Sequence, residues 1–272
     1  MRVRIGKSIV SLKNTPGGEE TVDEGLYGME AETLEYQGEW VKLRMFYGYE
    51  GWAAKEWLLT ETDRRIPEEN RRIVQASFVD VKAQPSVQAE TLLCVPRGAW
   101  METCGAEAKD GWLRVQLFRG RPGYVPQAAV GPGIPKLRRR FQSLPQAEQR
   151  RKLAKTALGY LGAPYRWGGR TPLGIDCSGL AQMTYLQNGM IIYRDARLHP
   201  AFPVRKIPPE KLCPGDLIYF PGHVAVYLGN QSYIHATAAA DRHCVTINSL
   251  NPRSCAYRAD LAQSMTAAGS IF

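Results

Sequence analysis

The sequence predicts an α+β fold in which two small all-β units precede a domain that mixes helices and strands. Three observations support this prediction: a strand pattern that occurs twice in the first half, a break rich in proline and glycine, and two helical patterns followed by alternating strands. With 272 residues, 44% of them apolar, the chain is long enough for two or three domains with sizeable cores.

The first half of the chain contains an internal repeat. GEWVKLRMFYGYEGWAAKEWL (38–58) aligns without a gap with DGWLRVQLFRGRPGYVPQAAV (110–130), and Trp40 matches Trp112 at a separation of 72 residues. Each copy alternates apolar and polar side chains, as a half-buried strand does, and a glycine-aromatic step then begins another strand. Short strands, turn residues and aromatic residues predict one small barrel or sandwich per copy.

Two breaks divide the sequence. The polar stretch 61–72 lacks hydrophobic alternation, and the proline- and glycine-rich stretch 130–140 favours a short, stiff linker. We therefore expect domains at 1–64, 70–132 and 138–272.

A helical pattern follows the second break, in SLPQAEQRRKLAKTALGYLGAP. Leu153, Ala157 and Leu161 share one face, Ser143 is a candidate cap near the start, and a glycine and a proline end the pattern. We expect one helix with this face toward a core.

The second helical pattern begins at Cys177 in IDCSGLAQ, and its apolar face contains Leu180, Met183 and Leu186. Asp176 is the natural N-cap. A thiol in the first turn faces the positive end of the helix dipole and unpaired N–H groups, which favour a thiolate and can stabilise an oxyanion. Because the Asp176 charge raises the pKa of a thiol, the site needs a cationic partner.

Two of the four histidines can supply that partner. His223 begins one alternating strand and His235 ends the next. A hairpin with an odd loop centred on Gly229 sets the two histidines opposite each other, and centring on Asn230 makes them diagonal neighbours. A two-residue loop of those same residues puts the side chains on opposite faces, so catalysis requires an odd loop or a bulge.

The ordered motifs PYRWGGRTPLGIDCSGL, LCPGDLIYF, HVAVYLG and YIHA resemble those of the NlpC/P60 family of papain-like cysteine peptidases over residues 140–272. The resemblance implies a bacterial cell-wall peptidase, without a cofactor, that hydrolyses the bond between D-γ-glutamate and a diamino acid. By the same resemblance Cys177 is the nucleophile, His223 the base and His235 the third member, with Tyr165 near the oxyanion site.

Two SH3-like domains ahead of such a domain resemble the branch of γ-D-glutamyl-L-diamino acid endopeptidases that recycle muropeptides. The branch implies substrates with a free N-terminal L-alanine, as in L-Ala-γ-D-Glu-diamino acid. The candidate substrate-binding residues are Asp176, Ser178, Glu20, Tyr49 and Trp167, with Trp167 as a cleft wall.

Several alternatives stay open at this point. The protein could be a secreted hydrolase of intact wall, or a wall-binding protein whose SH3-like modules anchor an idle peptidase domain. Cys177, His223 and His235 could instead hold zinc, although no fourth ligand is evident, so we predict no metal site. Arg170 and Arg194 could both meet substrate carboxylates, and the sequence does not choose between them.

Charge and cysteine content restrict location and partners. Residues 136–155 hold 8 basic and 1 acidic side chains, which could attract nucleic acid or an anionic envelope polymer, but a solvated helix face is the favoured interpretation. We expect no nucleic-acid partner, because no reading motif accompanies this charge. Six scattered cysteines and the lack of an apolar export or membrane segment favour the cytoplasm, or secretion if a signal peptide was removed.

Overall fold

The structure is a computed structural model, and it describes residues 1–60, 67–104, 110–117 and 120–272. It divides the chain into two compact units, Met1–Leu137 and Arg138–Phe272. Residues 61–66, where the predicted boundary between the two repeats begins, lie outside the described residues. The three predicted domain ranges therefore stay a prediction.

The first unit contains two antiparallel sheets of seven strands each. The first sheet consists of β1 (Arg2–Ile5), β2 (Ile9–Lys13), β3 (Thr21–Leu26), β4 (Glu30–Gln37), β5 (Trp40–Met45), β6 (Glu50–Ala54) and β7 (Leu58–Leu59). The second consists of β8 (Arg71–Val74), β9 (Phe78–Lys82), β10 (Thr91–Pro96), β11 (Trp100–Thr103), β12 (Trp112–Gln116), β13 (Pro122–Pro126) and β14 (Val130–Pro132).

The two sheets have the same topology. Their strand orders are β3-β2-β6-β5-β4-β1-β7 and β10-β9-β13-β12-β11-β8-β14, so each strand of the second sheet matches the strand seven places earlier. The register matches as well, since Trp40 pairs with Ala54 and Trp112 pairs with Pro126. The repeat in the sequence is therefore a repeated structural unit.

The two sheets of the first unit are joined by an aromatic and ionic contact. The rings of Phe46 and Trp100 lie 4.5 Å apart, and the backbone N–H of Trp100 donates to the Tyr27 carbonyl at 2.7 Å. Arg71 of the second sheet forms a 2.7 Å ion pair with Glu30 of the first. These contacts make the two sheets one packed unit.

The second unit mixes helices with a sheet of six antiparallel strands, in the order β17-β22-β18-β19-β20-β21. Its sheet strands are β17 (Arg205–Ile207), β18 (Leu217–Phe220), β19 (His223–Gly229), β20 (Ser232–Ala236), β21 (Val245–Ser249) and β22 (Ala267–Ser270). A two-stranded ribbon, β15 (Arg170–Thr171) and β16 (Gly174–Ile175), precedes the central helix. The helices are α1 (Ile134–Gln142), which begins in the first unit, α2 (Gln146–Leu158), α3 (Cys177–Leu186) and α4 (Ala259–Gln263). The predicted α+β fold class is confirmed.

The proline- and glycine-rich stretch 130–140 is not the predicted linker. Its first residues form β14, which pairs with β8, and α1 begins directly afterwards at Ile134. Pro135 lies in the first turn of α1, where a missing backbone N–H costs no intrahelical hydrogen bond. The composition that argued for a linker is thus equally compatible with a helix start.

The helix predicted after this stretch is shorter than its pattern. Leu153 and Ala157 are fully buried on α2, as expected, but Leu161 lies beyond the helix end and is 54% exposed. The predicted cap at Ser143 is also wrong, because its hydroxyl donates back to the Arg140 carbonyl at the end of α1. Pro145 occupies the N-cap position of α2 without a side-chain cap.

The central helix α3 is buried all round. Leu180, Met183 and Leu186 all lie in the core, as the sequence predicts. The helix packs against α2 and the strands β19 and β20. None of the described helices has the length and hydropathy needed to cross a membrane.

Candidate active site

Cys177 is the first residue of α3, and Asp176 caps the helix as predicted. The Asp176 carboxylate accepts a 2.6 Å hydrogen bond from the Gly179 N–H, two residues beyond the thiol. A Cβ on Gly179 would lie 2.3 Å from the Gly169 carbonyl oxygen, so the first turn of α3 approaches the preceding loop closely. The local sequence therefore holds a buried thiol, 7% exposed, in a fixed first turn.

Asp176 forms an ion pair with Arg194 inside the protein. The Arg194 guanidinium, 2% exposed, binds both carboxylate oxygens at 3.0 and 2.9 Å. Gly168 N–H donates to the same carboxylate at 2.9 Å, and the Ser178 hydroxyl donates at 3.1 Å while accepting from Arg194 at 2.7 Å. The substrate-binding roles of Asp176 and Ser178 stay predictions, and the structure shows both side chains in an internal network.

Arg170 also lies in the interior. It is fully buried and donates to the Gln182 side-chain carbonyl on α3. The sequence did not choose between Arg170 and Arg194 as partners of substrate carboxylates. In the structure both arginines have internal partners, and the partner of Arg194 is Asp176, the residue before the candidate nucleophile.

His223 and His235 meet as diagonal neighbours, one of the two geometries that the sequence allowed. Val226 pairs with Ile234, which centres the hairpin on Asn230, and a bulge falls between Tyr227 and Gly229. His223 Nε2 lies 2.7 Å from His235 Nδ1. The bulge is the irregularity that was required to bring both imidazoles to one face.

Asn248 extends this row and was missed at the sequence level. His235 Nε2 lies 2.9 Å from Asn248 Oδ1 on β21. Because His235 pairs with Thr246, Asn248 is its diagonal neighbour on the next strand. The signal was present in the alternation of VTINS, but only the strand pairing reveals which polar residue meets His235.

The environment shifts the pKa values of Cys177 and His223 so that the neutral thiol and the neutral imidazole are favoured. Burial, followed by the Asp176 charge, raises the pKa of Cys177 to about 11, against the opposing effects of the Val224 and Ser178 N–H groups and Arg194. Burial, followed by the neighbouring His235, lowers the pKa of His223 to about 3. During attack the proton must therefore move from the thiol to the imidazole.

Tyr165 lies next to the thiol. Burial and the nearby Cys177 and Asp176 raise the pKa of its phenol to about 12, so the hydroxyl keeps its proton and can donate. Its backbone N–H donates to the His243 carbonyl at 2.9 Å, and the two rings meet edge to face with centroids 5.8 Å apart. This placement suits a donor to a developing oxyanion.

Three more candidate substrate-binding residues are Trp167, Glu20 and Tyr49. Trp167 is 62% exposed. Glu20 and Tyr49 belong to the first unit, where Glu20 accepts from the Asn14 amide at 2.7 Å and the Tyr49 carbonyl accepts from the Met45 N–H at 2.8 Å. Their roles stay predictions.

The zinc alternative finds no support in the described part of the chain. There, no three histidine, cysteine or acidic side chains are grouped so that they could hold a metal ion.

Comparison with known proteins places the chain in a family. Its residues 162–262 match the NlpC/P60 family model. Over 259 residues it is 37% identical to dipeptidyl-peptidase 6 of Lysinibacillus sphaericus, covering 93% of each protein. The chain belongs to the NlpC/P60 family of peptidases.

Two further relatives refine this placement. The γ-D-glutamyl-L-lysine dipeptidyl-peptidase of Bacillus cereus is 36% identical over 95 residues, a match that covers 32% of this chain and 28% of that protein. The crystal structure of an NlpC/P60 family protein from Bacillus cereus superposes with a TM-score of 0.81 over 98% of each chain, at 21% identity. The whole architecture, including the β-rich first unit, therefore recurs in a solved member.

The buried His235 and the partly buried His223 make stability depend on pH. The folded-state pKa of His223, and that of His235, lies below the ordinary value of about 6.5, so the unfolded chain binds more protons in acid. Stability is fully present above pH 6.5 and is lost as the pH falls toward the folded pKa. The raised pKa of Cys177 acts in the opposite sense and weakens the fold as the pH rises above about 9.

We therefore expect the free energy of unfolding of the second unit to fall between pH 6.5 and 4.5, as measured by hydrogen exchange of β19 and β20 amides. The double variant His223→Gln/His235→Gln should show a shallower slope. An unchanged slope in that variant would assign the acid sensitivity to other groups.

Proposed function

We propose that this protein is a cysteine peptidase that hydrolyses the bond between D-γ-glutamate and a diamino acid in cell-wall peptides with a free N-terminal L-alanine. The observation that carries the proposal is the buried thiol of Cys177 at the start of α3, which accepts from the N–H of Val224, the residue after His223, while His223 is hydrogen-bonded to His235. Support for the substrate class comes from the relatives, one of which is named for a γ-D-glutamyl-L-lysine bond.

The chemistry follows from the neutral resting pair. As the Cys177 sulfur attacks the γ-carbonyl carbon, His223 takes the thiol proton, because neither the thiolate nor the imidazolium is stable alone in this buried site. Backbone N–H groups at the start of α3 and the phenol of Tyr165 supply donors for the oxyanion. His223 then gives its proton to the leaving amine of the diamino acid. Water, deprotonated by His223, cleaves the thioester and releases the glutamyl carboxylate and the free thiol.

The substrate test uses L-Ala-γ-D-Glu-meso-diaminopimelate and its N-acetylated twin, with products identified by mass spectrometry. We expect L-Ala-D-Glu to be released from the free-amine peptide alone. Cleavage of both peptides would contradict the free-amine requirement and favour a hydrolase of intact wall, which digestion of sacculi would then test. If neither peptide is cut, with lysine or ornithine as the third residue as well, the wall-binding alternative takes the lead.

We also propose a cytoplasmic location and a role in recycling wall peptides. Support comes from the six scattered cysteines, which show neither a CxxC pair nor the density of a disulfide-stapled domain. Fractionation of the native host, with antibody detection of the protein, tests the location.

A further inference from the structure

We propose that Asn248 is a positioning residue that fixes which nitrogens of His235 and His223 carry protons, and thereby leaves His223 Nδ1 free to accept the thiol proton. The inference rests on the proposed function for its kinetic consequence. The proton arrangement itself follows from contacts in the second unit.

The hydrogen bond that the amide nitrogen of Asn248 donates sets the orientation of the amide group. Asn248 Nδ2 donates to the Ala256 carbonyl oxygen at 2.9 Å. A carbonyl oxygen can only accept, so the amide nitrogen must face Ala256 and the amide oxygen must face the other way. Ala256 is itself held, because its carbonyl also accepts from the Ser249 N–H at 3.0 Å.

The proton positions on His235 and then on His223 follow from this orientation. Asn248 Oδ1 lies 2.9 Å from His235 Nε2 and can only accept, so His235 Nε2 carries a proton. In a neutral imidazole the other nitrogen is then an acceptor, so the 2.7 Å contact needs a proton on His223 Nε2. His223 Nδ1 is left unprotonated.

The opposite arrangement would disable the base. With the proton on His235 Nδ1, His223 Nε2 would have to accept, and the proton would then lie on His223 Nδ1, the nitrogen that the proposed mechanism needs unprotonated. Asn248 excludes this state because its oxygen would face an unprotonated His235 Nε2. Once His223 has taken the thiol proton, its Nε2–H still donates to His235, so the charge forms without any rearrangement.

The charged and titratable groups around His223 and His235 include an ion pair and a tyrosine. Burial lowers the pKa of both histidines, and the Arg258–Asp260 ion pair acts on both, with Arg258 lowering and Asp260 raising each pKa. The Tyr233 ring lies 5.2 Å from that of His235, and the thiol of Cys177 accepts from the Val224 N–H at the start of β19. Because both imidazoles are neutral, their tautomers matter.

The direct test is nitrogen NMR of protein labelled with ¹⁵N-histidine, a measurement that needs no substrate. The protein has 4 histidines, so few signals must be assigned. Wild-type protein should show both His223 and His235 protonated at Nε2 and unprotonated at Nδ1. Asn248→Ala should give a mixture of tautomers for both residues, while Asn248→Asp, which keeps the acceptor, should retain the wild-type pattern.

The kinetic test uses the same variants on the free-amine peptide. If Asn248→Ala leaves about a tenth of the molecules in the competent tautomer, kcat falls about 10-fold while KM changes less than about twofold. Asn248→Asp should recover most of kcat and move the acidic limb of the pH profile to higher pH, because a carboxylate favours the imidazolium. Asn251→Ala is the matched control, since its amide oxygen accepts from the Arg253 N–H at 3.0 Å in the neighbouring turn.

A proton on His235 Nδ1 in the wild type, or unchanged tautomers in Asn248→Ala, would overturn the proposal. So would a loss of kcat in Asn251→Ala as large as in Asn248→Ala. Failure of the proposed function would give a different result: wild-type protein would leave the peptide intact, while the NMR spectrum would still show the expected tautomers of His223 and His235.

Discussion

Cys177→Ala is expected to reduce kcat on the γ-D-glutamyl peptide by at least about 10⁴-fold, because the reaction loses its only covalent path. The double variant Cys177→Ala/His223→Gln should be no slower than the single one, since a base without a nucleophile contributes nothing. Product formation at substrate saturation, followed by mass spectrometry, measures both.

Cys213→Ala is the matched control for this experiment. Cys213 is a free, exposed cysteine of the same unit, and its backbone N–H donates to Asp216 at 2.9 Å. We expect wild-type kcat. Substantial turnover by Cys177→Ala would refute covalent catalysis at this residue.

Arg194→Met is expected to destabilise the second unit by about 3–5 kcal/mol, because it leaves the Asp176 carboxylate buried without its counter-ion. Asp176 is 5% exposed and receives two of its hydrogen bonds from Arg194. The double variant Asp176→Asn/Arg194→Met should recover part of the loss, since asparagine still caps a helix without carrying a charge. Urea unfolding monitored by hydrogen exchange of α3 amides measures each variant.

Arg197→Met provides the comparison for an exposed arginine. Its side chain is 68% exposed and its carboxylate partner, Asp195, lies 3.9 Å away. Such pairs contribute about 0–1 kcal/mol. If Arg194→Met costs no more than Arg197→Met, the buried pair does not hold the start of α3 together.

Local patterns predicted the elements that carry the chemistry. The cap at Asp176 and the helix that begins at Cys177 follow from capping and helical periodicity. Strand alternation allowed the meeting of His223 with His235 but did not choose among the possible loops. The duplication of the sheets was also predictable, because the 72-residue repeat relates β5, β6 and β7 of the first sheet to β12, β13 and β14 of the second.

The missed features depend on which distant segments meet. Asn248 acquires its role only because β21 pairs with β20, and Arg194 only because its loop returns to the start of α3. The helix at Ile134 was hidden by prolines and glycines that suit a helix start as well as a linker. The end of α2 before Leu161 reflects where packing stops, which periodicity alone does not mark.

The row formed by His223, His235 and Asn248 crosses three adjacent strands, one side chain from each. The ring centroids of the two histidines are 5.0 Å apart, close to the usual spacing of neighbouring strands, about 4.8 Å. The row therefore crosses the sheet diagonally, with a shift of two residues at each step. Because each member stands on a different hydrogen-bonded strand, the spacing of the row is set by the pairing of the strands and not by the conformation of the loops that connect them.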